Sequence, residues 1–271
     1  MKAIILITLF AFAASFKNIH AKKLDTKLNL TPYDFSSSLI TNTLSARFIQ
    51  TYTKNVLTDE GIMHSWILGN SIWLGFGYQG WTYMVSYFIL GSLVTKLKFD
   101  EKKEKGIEEK RSGARGPENV WGSGATATLF SILSILLGSN TFYNIGFVSS
   151  IATKLSDTFA SEVGKAYGKN CFLITTFEKV EPGTEGAVSI EGTIAGIIGS
   201  LLLALISVEL NLINYNDIPN VMISAFIATT IESLLGATIQ DKNPILTNEF
   251  INFLNTLIGA LVSIAIFSTY K

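Results

Sequence analysis

The chain has 271 residues, 48% of them hydrophobic and 15% charged, with 21 acidic and 21 basic side chains. Soluble domains carry roughly 25% charged residues, and an even charge balance excludes the basic field that nucleic-acid binding needs. One cysteine, Cys171, and two histidines, His20 and His64, exclude an internal disulfide and the cysteine- or histidine-rich zinc sites.

Residues 1–15, MKAIILITLFAFAAS, have a basic start, a short apolar core and small residues at Ala13 and Ser15. That is a secretory signal pattern and is short for a membrane span. A stretch rich in lysine, serine and threonine follows to Thr43. With Phe16 after the expected cleavage point, it resembles the two-part leader of a secondary plastid. An ordinary signal peptide or anchor fits as well, so the expected compartment is a plastid membrane or, alternatively, an endomembrane. Residues 1–50 are set aside as a leader, and 51–271 are read as a polytopic membrane domain.

A helix needs about 20 mostly apolar residues to cross a bilayer, and several runs approach that length. Ile62–Leu74 and Trp81–Val94 form a first apolar pair, separated by Gly75, Gly77 and Gly80. The glycines spell G-x-G-x-x-G, but a nucleotide fingerprint needs a strand before it and a helix after it. Flanked by aromatic membrane sequence, they read as a helix break. His64, beside Trp66, suits a membrane edge.

Lys96–Trp121 is polar and becomes a glycine-rich loop at residues 112–117. Arg111 and Arg115 are suited to bind oxyanions, because guanidinium pairs with phosphate bidentately. Gly122, Ser123 and Gly124 are expected to open the next apolar helix, where a glycine-rich N-terminus offers free N–H groups to an anion. The spans continue with Ala125–Leu137 and then a helix from Phe142 that runs without a break to about Tyr167, with Gly168 as its stop. Lys154, Asp157, Ser161, Gly164 and Lys165 recur at offsets of three and four, along one face of that helix.

Asn170–Gly186 reads as a loop or short extended segment with a Pro182-Gly183 turn. Further spans are expected at Ala187–Glu209, Val221–Gln240 and Leu246–Phe267. The whole is an all-α, polytopic bundle of about six or seven helices. Counting crossings places the 96–121, 168–187 and 240–248 segments on one side of the membrane, as the positive-inside rule requires.

Ionisable residues inside a span are costly and functional by default. Asp157, Glu162, Glu191 and Glu232 qualify. Carboxylates beside lysines and hydroxyls suit Mg²⁺, which prefers one or two carboxylates with phosphate oxygens and water. No Walker or protein-kinase signature is present.

The blocks K-x-S-D-T-x-x-S-E-x-G-K-A-Y-G-K at 154–169 and G-T-E-G-A-x-S-x-E-G-T-x-A-G at 183–196 carry a resemblance. So do E-K-R-S-G-A-R-G-P-E-N-V at 109–120, E-S-L-L-G-A-T-I-Q-D-K at 232–242 and N-x-x-N-x-x-x-G at 252–259. Together they resemble the membrane family of the plant plastid phytyl-phosphate kinase. More distantly, 157–169 and 189–193 are similar to the CTP-dependent dolichol and polyprenol kinases. The resemblance implies transfer of phosphate from CTP or another nucleoside triphosphate, with Mg²⁺, to a lipid-linked prenyl phosphate. The product would feed tocopherol- and phylloquinone-type synthesis.

On that reading Asp157, Glu162, Lys165, Glu185 and Glu191 are the expected catalytic residues, with Asp157, Glu162 and Glu191 as metal ligands. Arg111, Arg115, Gly122, Ser123, Gly124, Ser161, Lys169 and Thr193 would bind phosphate. A CTP-dependent lipid cytidylyltransferase and a non-catalytic polyprenyl-phosphate carrier are the alternatives. Gly196, Gly199 and Ser200 leave room for a lipid tail or for close helix packing.

Overall fold

The computed structural model describes residues 32–53, 56–238 and 247–270. The order is α1 (Pro32–Tyr52), α2 (Asp59–Thr95), α3 (Phe99–Glu104), α4 (Pro117–Leu137) and α5 (Thr141–Tyr167). Three short strands follow: β1 (Cys171–Leu173), β2 (Lys179–Val180) and β3 (Ala187–Val188). Then come α6 (Ile190–Glu209), α7 (Ile218–Thr238) and α8 (Asn248–Thr269). Among the described residues, four segments are long and apolar enough to cross a membrane: α4, α6, Tyr215–Thr238 (which contains α7) and α8. The architecture is that of an all-α integral membrane protein.

Helix α2 consists of two arms joined at Gly77, whose φ of 68° and ψ of −167° lie outside helical space. A positive φ of this kind favours glycine, so the glycine motif is a helix break, as its aromatic flanks imply. The arms fold back on one another. Gly61 from the first and Gly91 from the second both lie against Arg115, and Leu68 and Met84 both pack on Gly124. Trp73 and Trp81, on either side of the tip, meet edge to face at 5.9 Å. Near the tip, Ser131 and Ser134 of α4 donate hydrogen bonds to the carbonyls of Ser71 (2.5 Å) and Gly75 (3.0 Å). Among the described residues, α1, the two arms of α2 and α4 to α8 make eight long helical segments, one more than expected, because α1 lies in the stretch read as leader.

The leader boundary expected at residue 50 falls inside α1, which packs on this hairpin; residues 1–31 lie outside the described residues. Ser38 donates to Asn70 Oδ1 at 2.7 Å, and the Trp81 indole donates to buried Asn42 Oδ1 at 3.0 Å. Such interhelical polar contacts replace water where none is available.

Helix α5 is the central pillar. Every residue from Ile145 to Ser156 is buried, by α2, α4, α6, α7 and α8 on its different sides. Phe147 stacks on Phe76 at 4.3 Å, Tyr83 donates to the Val148 carbonyl at 2.9 Å, and Ser149 donates to Ser263 at 2.7 Å. Gly196 and Gly199 let α6 approach this backbone closely. A Cβ on either would stand 3.1 Å from the carbonyl oxygen of Ser156 or Leu155 respectively. Of the two roles expected for these glycines, the observed contacts are helix packing. Gly168 ends α5, its N–H bonded to Gly164 O at 2.9 Å.

The strands form a small antiparallel sheet, β2-β1-β3, with Cys171 opposite Val180 and Phe172 opposite Val188. Gly186, at φ 75°, lets the sheet rest on the end of α7, where a Cβ would strike Ala237. The outer faces of α4, α6 and α7 expose Leu129, Ile132, Ile194, Ile197, Ile223 and Phe226, the surface a bilayer covers.

Candidate functional site

The starts of α4, α6 and α8 meet the ends of α2, α5 and α7 at one end of the bundle. They enclose a polar cavity of about 260 Å³, completed by the 109–115 loop and the 183–189 segment. The 96–121 and 168–187 segments therefore share one end with Asn248, as expected; residues 239–246 lie outside the described residues.

A connected network crosses the cavity wall. Lys154 is 7% exposed and donates to Asp157 Oδ2 at 2.5 Å and to Asn252 Oδ1 at 2.6 Å. Asp157 lies beside Glu232, which in turn accepts from Asn255 Nδ2. Two carboxyls, an ammonium and two amides from α5, α7 and α8 are thereby locked together. A buried charge is tolerated only when paired and hydrogen-bonded in this way. Asp157 keeps 20% of its side chain exposed, so the network has one polar face on the cavity.

Arg115 is held by its backbone: its N–H donates to Val56 O (3.0 Å) and its carbonyl accepts from Thr58 N (3.1 Å). Thr58 caps α2 by accepting from Gly61 N at 3.0 Å. The guanidinium lies over Tyr87 and Phe88, 5.7 and 5.3 Å from the ring centroids. Among the described residues it has no carboxylate partner.

Glu162 is 3% exposed, with one oxygen paired to Lys102 of α3 and the other 3.7 Å from Lys165. Lys102 also donates to Thr95 O at 2.8 Å. The Glu162 carboxylate is therefore committed to two lysines, and it ties α3 to α5.

Of the expected site residues, Arg115, Ser123, Asp157, Ser161, Glu162, Lys165, Glu185 and Thr193 line the cavity. Arg111 is turned outward and bonded to Glu118 and to Asn119 Oδ1 at 2.7 Å, which fixes the loop. Lys169 is exposed beyond the end of α5. Glu191, in the first turn of α6, is half-buried and is not among the lining residues, although its neighbours Gly192 and Thr193 are. Gly122 and Gly124 do not open a helix. Helix α4 begins at Pro117, so their N–H groups fall beyond the unsatisfied first turn. Gly122 instead packs on the Glu249 backbone, and Gly124 on Leu68. Among the described residues, no group of three or more His, Cys, Asp or Glu is arranged to hold a metal.

The model of the integral membrane protein family DUF92 matches residues 42–260, and so spans all the elements that build this cavity. The chain belongs to the DUF92 family. It is 48% identical to the uncharacterised membrane protein sll0875 of Synechocystis, over 88% of this chain and 93% of that one. It is 41% identical to the chloroplastic protein VTE6 of Arabidopsis thaliana, over 77% of this chain and 64% of VTE6. It is 37% identical to the uncharacterised membrane protein MJ0933 of Methanocaldococcus jannaschii, over 79% and 87% of the two chains. No solved structure matches it.

In this DUF92 protein the innermost cavity residues include three that sequence reasoning noticed and did not place in the site: Lys154, Glu232 and Asn252. Each begins one of the blocks at 154–169, 232–242 and 252–259, and that shared position was the available signal. Glu109, Asn119 and Asn248 also line the cavity.

Proposed function

We propose that this DUF92 protein is a phosphotransferase that converts a membrane-held prenyl monophosphate to the diphosphate, with CTP or another nucleoside triphosphate as donor. Phytyl phosphate is the first acceptor to test. The carrying observation is a polar cavity at one end of an apolar bundle, lined by the Asp157 and Glu232 carboxyls and by Arg115, which has no carboxylate partner among the described residues. An amphiphilic phosphate, anchored by its chain in lipid, presents its headgroup at that level. The resemblance of the 154–169 and 183–196 blocks to prenyl-phosphate and polyprenol kinases supplies the reaction class.

In the proposed reaction, a non-bridging oxygen of the acceptor phosphate attacks the γ-phosphorus of the donor. The bond from that phosphorus to the β-bridging oxygen breaks, and the electron pair leaves with the nucleoside diphosphate. The acceptor is already an anion, so no strong base is needed. Arg115 and Lys165 neutralise charge on the phosphates, which is the main demand of phosphoryl transfer. Lys154 holds Asp157 in place, and Glu162 positions Lys165. Ser123, Ser161 and Thr193 line the cavity as hydroxyl partners for phosphate oxygens. Asp157 and Glu232 are the pair that would hold Mg²⁺, the donor set fitting an ion that takes one or two carboxylates plus phosphate and water. When bound, that ion neutralises the triphosphate.

The test is turnover by purified protein in liposomes with phytyl phosphate and CTP or ATP, scoring phytyl diphosphate and nucleoside diphosphate. Release of pyrophosphate with a CDP-lipid would identify a cytidylyltransferase, and nucleotide-independent binding without turnover a carrier. Undiminished turnover by Asp157→Asn would sink the site assignment. A plastid membrane is the compartment we propose, and imaging a fluorescent fusion to residues 1–50 checks it.

A further inference from the structure

A second cavity lies between α1, the α2 hairpin and the start of α4. It measures about 130 Å³, and its wall is mostly apolar, with Ala46, Ile49, Ile62, Leu68, Met84 and Val85 among its residues. Tyr87, Arg115, Asn119 and Ser123 line both this cavity and the polar one. The two are thus adjoining compartments of opposite character that share a wall at Arg115. The buried amide in the apolar wall is satisfied internally, Asn42 Oδ1 accepting from Trp81.

We propose that this apolar cavity takes the phosphate-proximal isoprene units of the acceptor, with Arg115 engaging the phosphate at the junction. The proposal rests on the phosphotransfer reading of the polar cavity and adds where the chain goes. At about 130 Å³ the compartment is well below the roughly 300–1,000 Å³ of pockets that enclose a whole ligand. It holds the first units of one linear chain, and the remainder passes out beside α1 into lipid. Discrimination against two-chain phospholipids follows from that width. On α6 the space left by Gly196 and Gly199 lies on the inner face and is filled by α5.

The experiment uses full-length protein in liposomes and a prenyl monophosphate carrying a diazirine near the phosphate, with labelled peptides mapped by mass spectrometry. The expected label falls on residues 45–49, 62–69 and 81–88. It is displaced by unlabelled C20 prenyl monophosphate and spared by excess phosphatidylglycerol. Ala46→Trp fills the compartment. It should abolish the label and weaken prenyl-phosphate binding by about tenfold or more, since burial of several methylenes is lost. Inorganic pyrophosphate, which needs the polar cavity alone, should bind Ala46→Trp as it binds the native protein.

Label on the outer face of α6 with pyrophosphate binding intact would overturn the chain site and leave the phosphotransfer reading standing. Equal displacement by phosphatidylglycerol would also overturn it, marking a general lipid crevice. A native protein that binds no pyrophosphate would overturn the phosphotransfer reading instead. Mapping on the native protein keeps the proposal testable if Ala46→Trp fails to fold, and Ile49→Trp is the second variant.

Discussion

Replacing Lys154 by methionine keeps the bulk of the side-chain stem and deletes its ammonium. Asp157 then faces Glu232 with no cation between them, and Asn252 Oδ1 loses its donor. Removing one partner of a buried ion pair costs about 3–5 kcal/mol. The lysine side chain is 9% exposed and the aspartate 20%, so solvent softens the loss and the lower end, ~3 kcal/mol, applies. For a chain of this size that is a fall of roughly 6–12 °C in the unfolding midpoint. Heating the detergent-solubilised protein and following the monodisperse peak by fluorescence-detected size exclusion measures it. The double variant Lys154→Met/Asp157→Asn removes the stranded charge and supplies an amide that can donate to Glu232. It should regain at least half of the lost stability while remaining inactive. A single variant that melts within about 2 °C of the native protein would refute the network's structural role. So would a double variant no more stable than the single one.

Lys102→Met should destabilise by about 3–5 kcal/mol, because it strands Glu162 beside Lys165 alone. Lys102→Met/Glu162→Gln should recover most of that in the same assay. Gly91→Ala places a Cβ 2.9 Å from Arg115 Nη2, at the movable end of that side chain. The midpoint should therefore stay near native while pyrophosphate titration shows several-fold weaker binding. The Cys171 thiol is pushed up by burial first and then by Glu191 and Glu181. Maleimide labelling at pH 8 should be slow in the native protein and fast after denaturation. The thiol holds its proton more tightly folded than unfolded, so the fold loses stability as pH climbs through the thiol range.

Much of the fold was legible because membrane helices announce themselves locally. The unbroken period from Phe142 to Tyr167, the stop at Gly168 and the break around Gly77 each depend on residues within a few positions of one another. The helix start at Pro117 was harder. Asn119 satisfies the Gly116 N–H and so begins α4 inside sequence that looks like polar loop. Helix α1 was read as leader because its serines and threonines resemble targeting sequence. What makes it part of the bundle is Asn42 meeting Trp81, 39 residues away.

The site was legible to the level of its helix faces and no further. Lys154 and Asn252 are 98 residues apart, and Lys102 and Glu162 are 60 apart. No spacing rule connects such pairs, so sequence alone did not show Glu162 bonded to lysines on two helices. Glu191 illustrates the converse. It lies among hydroxyls and glycines in the sequence, yet in the first turn of α6 it is Gly192 and Thr193, and not Glu191, that line the cavity.

The α2 hairpin also constrains how the protein is made. Its two arms are aromatic and glycine-rich, and they are not among the four segments apolar enough to cross on their own. Near the tip, the Ser71 and Gly75 carbonyls receive their side-chain hydrogen bonds from Ser131 and Ser134, which the ribosome delivers about sixty residues later. Those two contacts at the tip can therefore form only after α4 has been made. The Arg115 loop, by contrast, closes on Val56, Thr58, Tyr87 and Phe88, all of which precede it, and so can form before α4 is made.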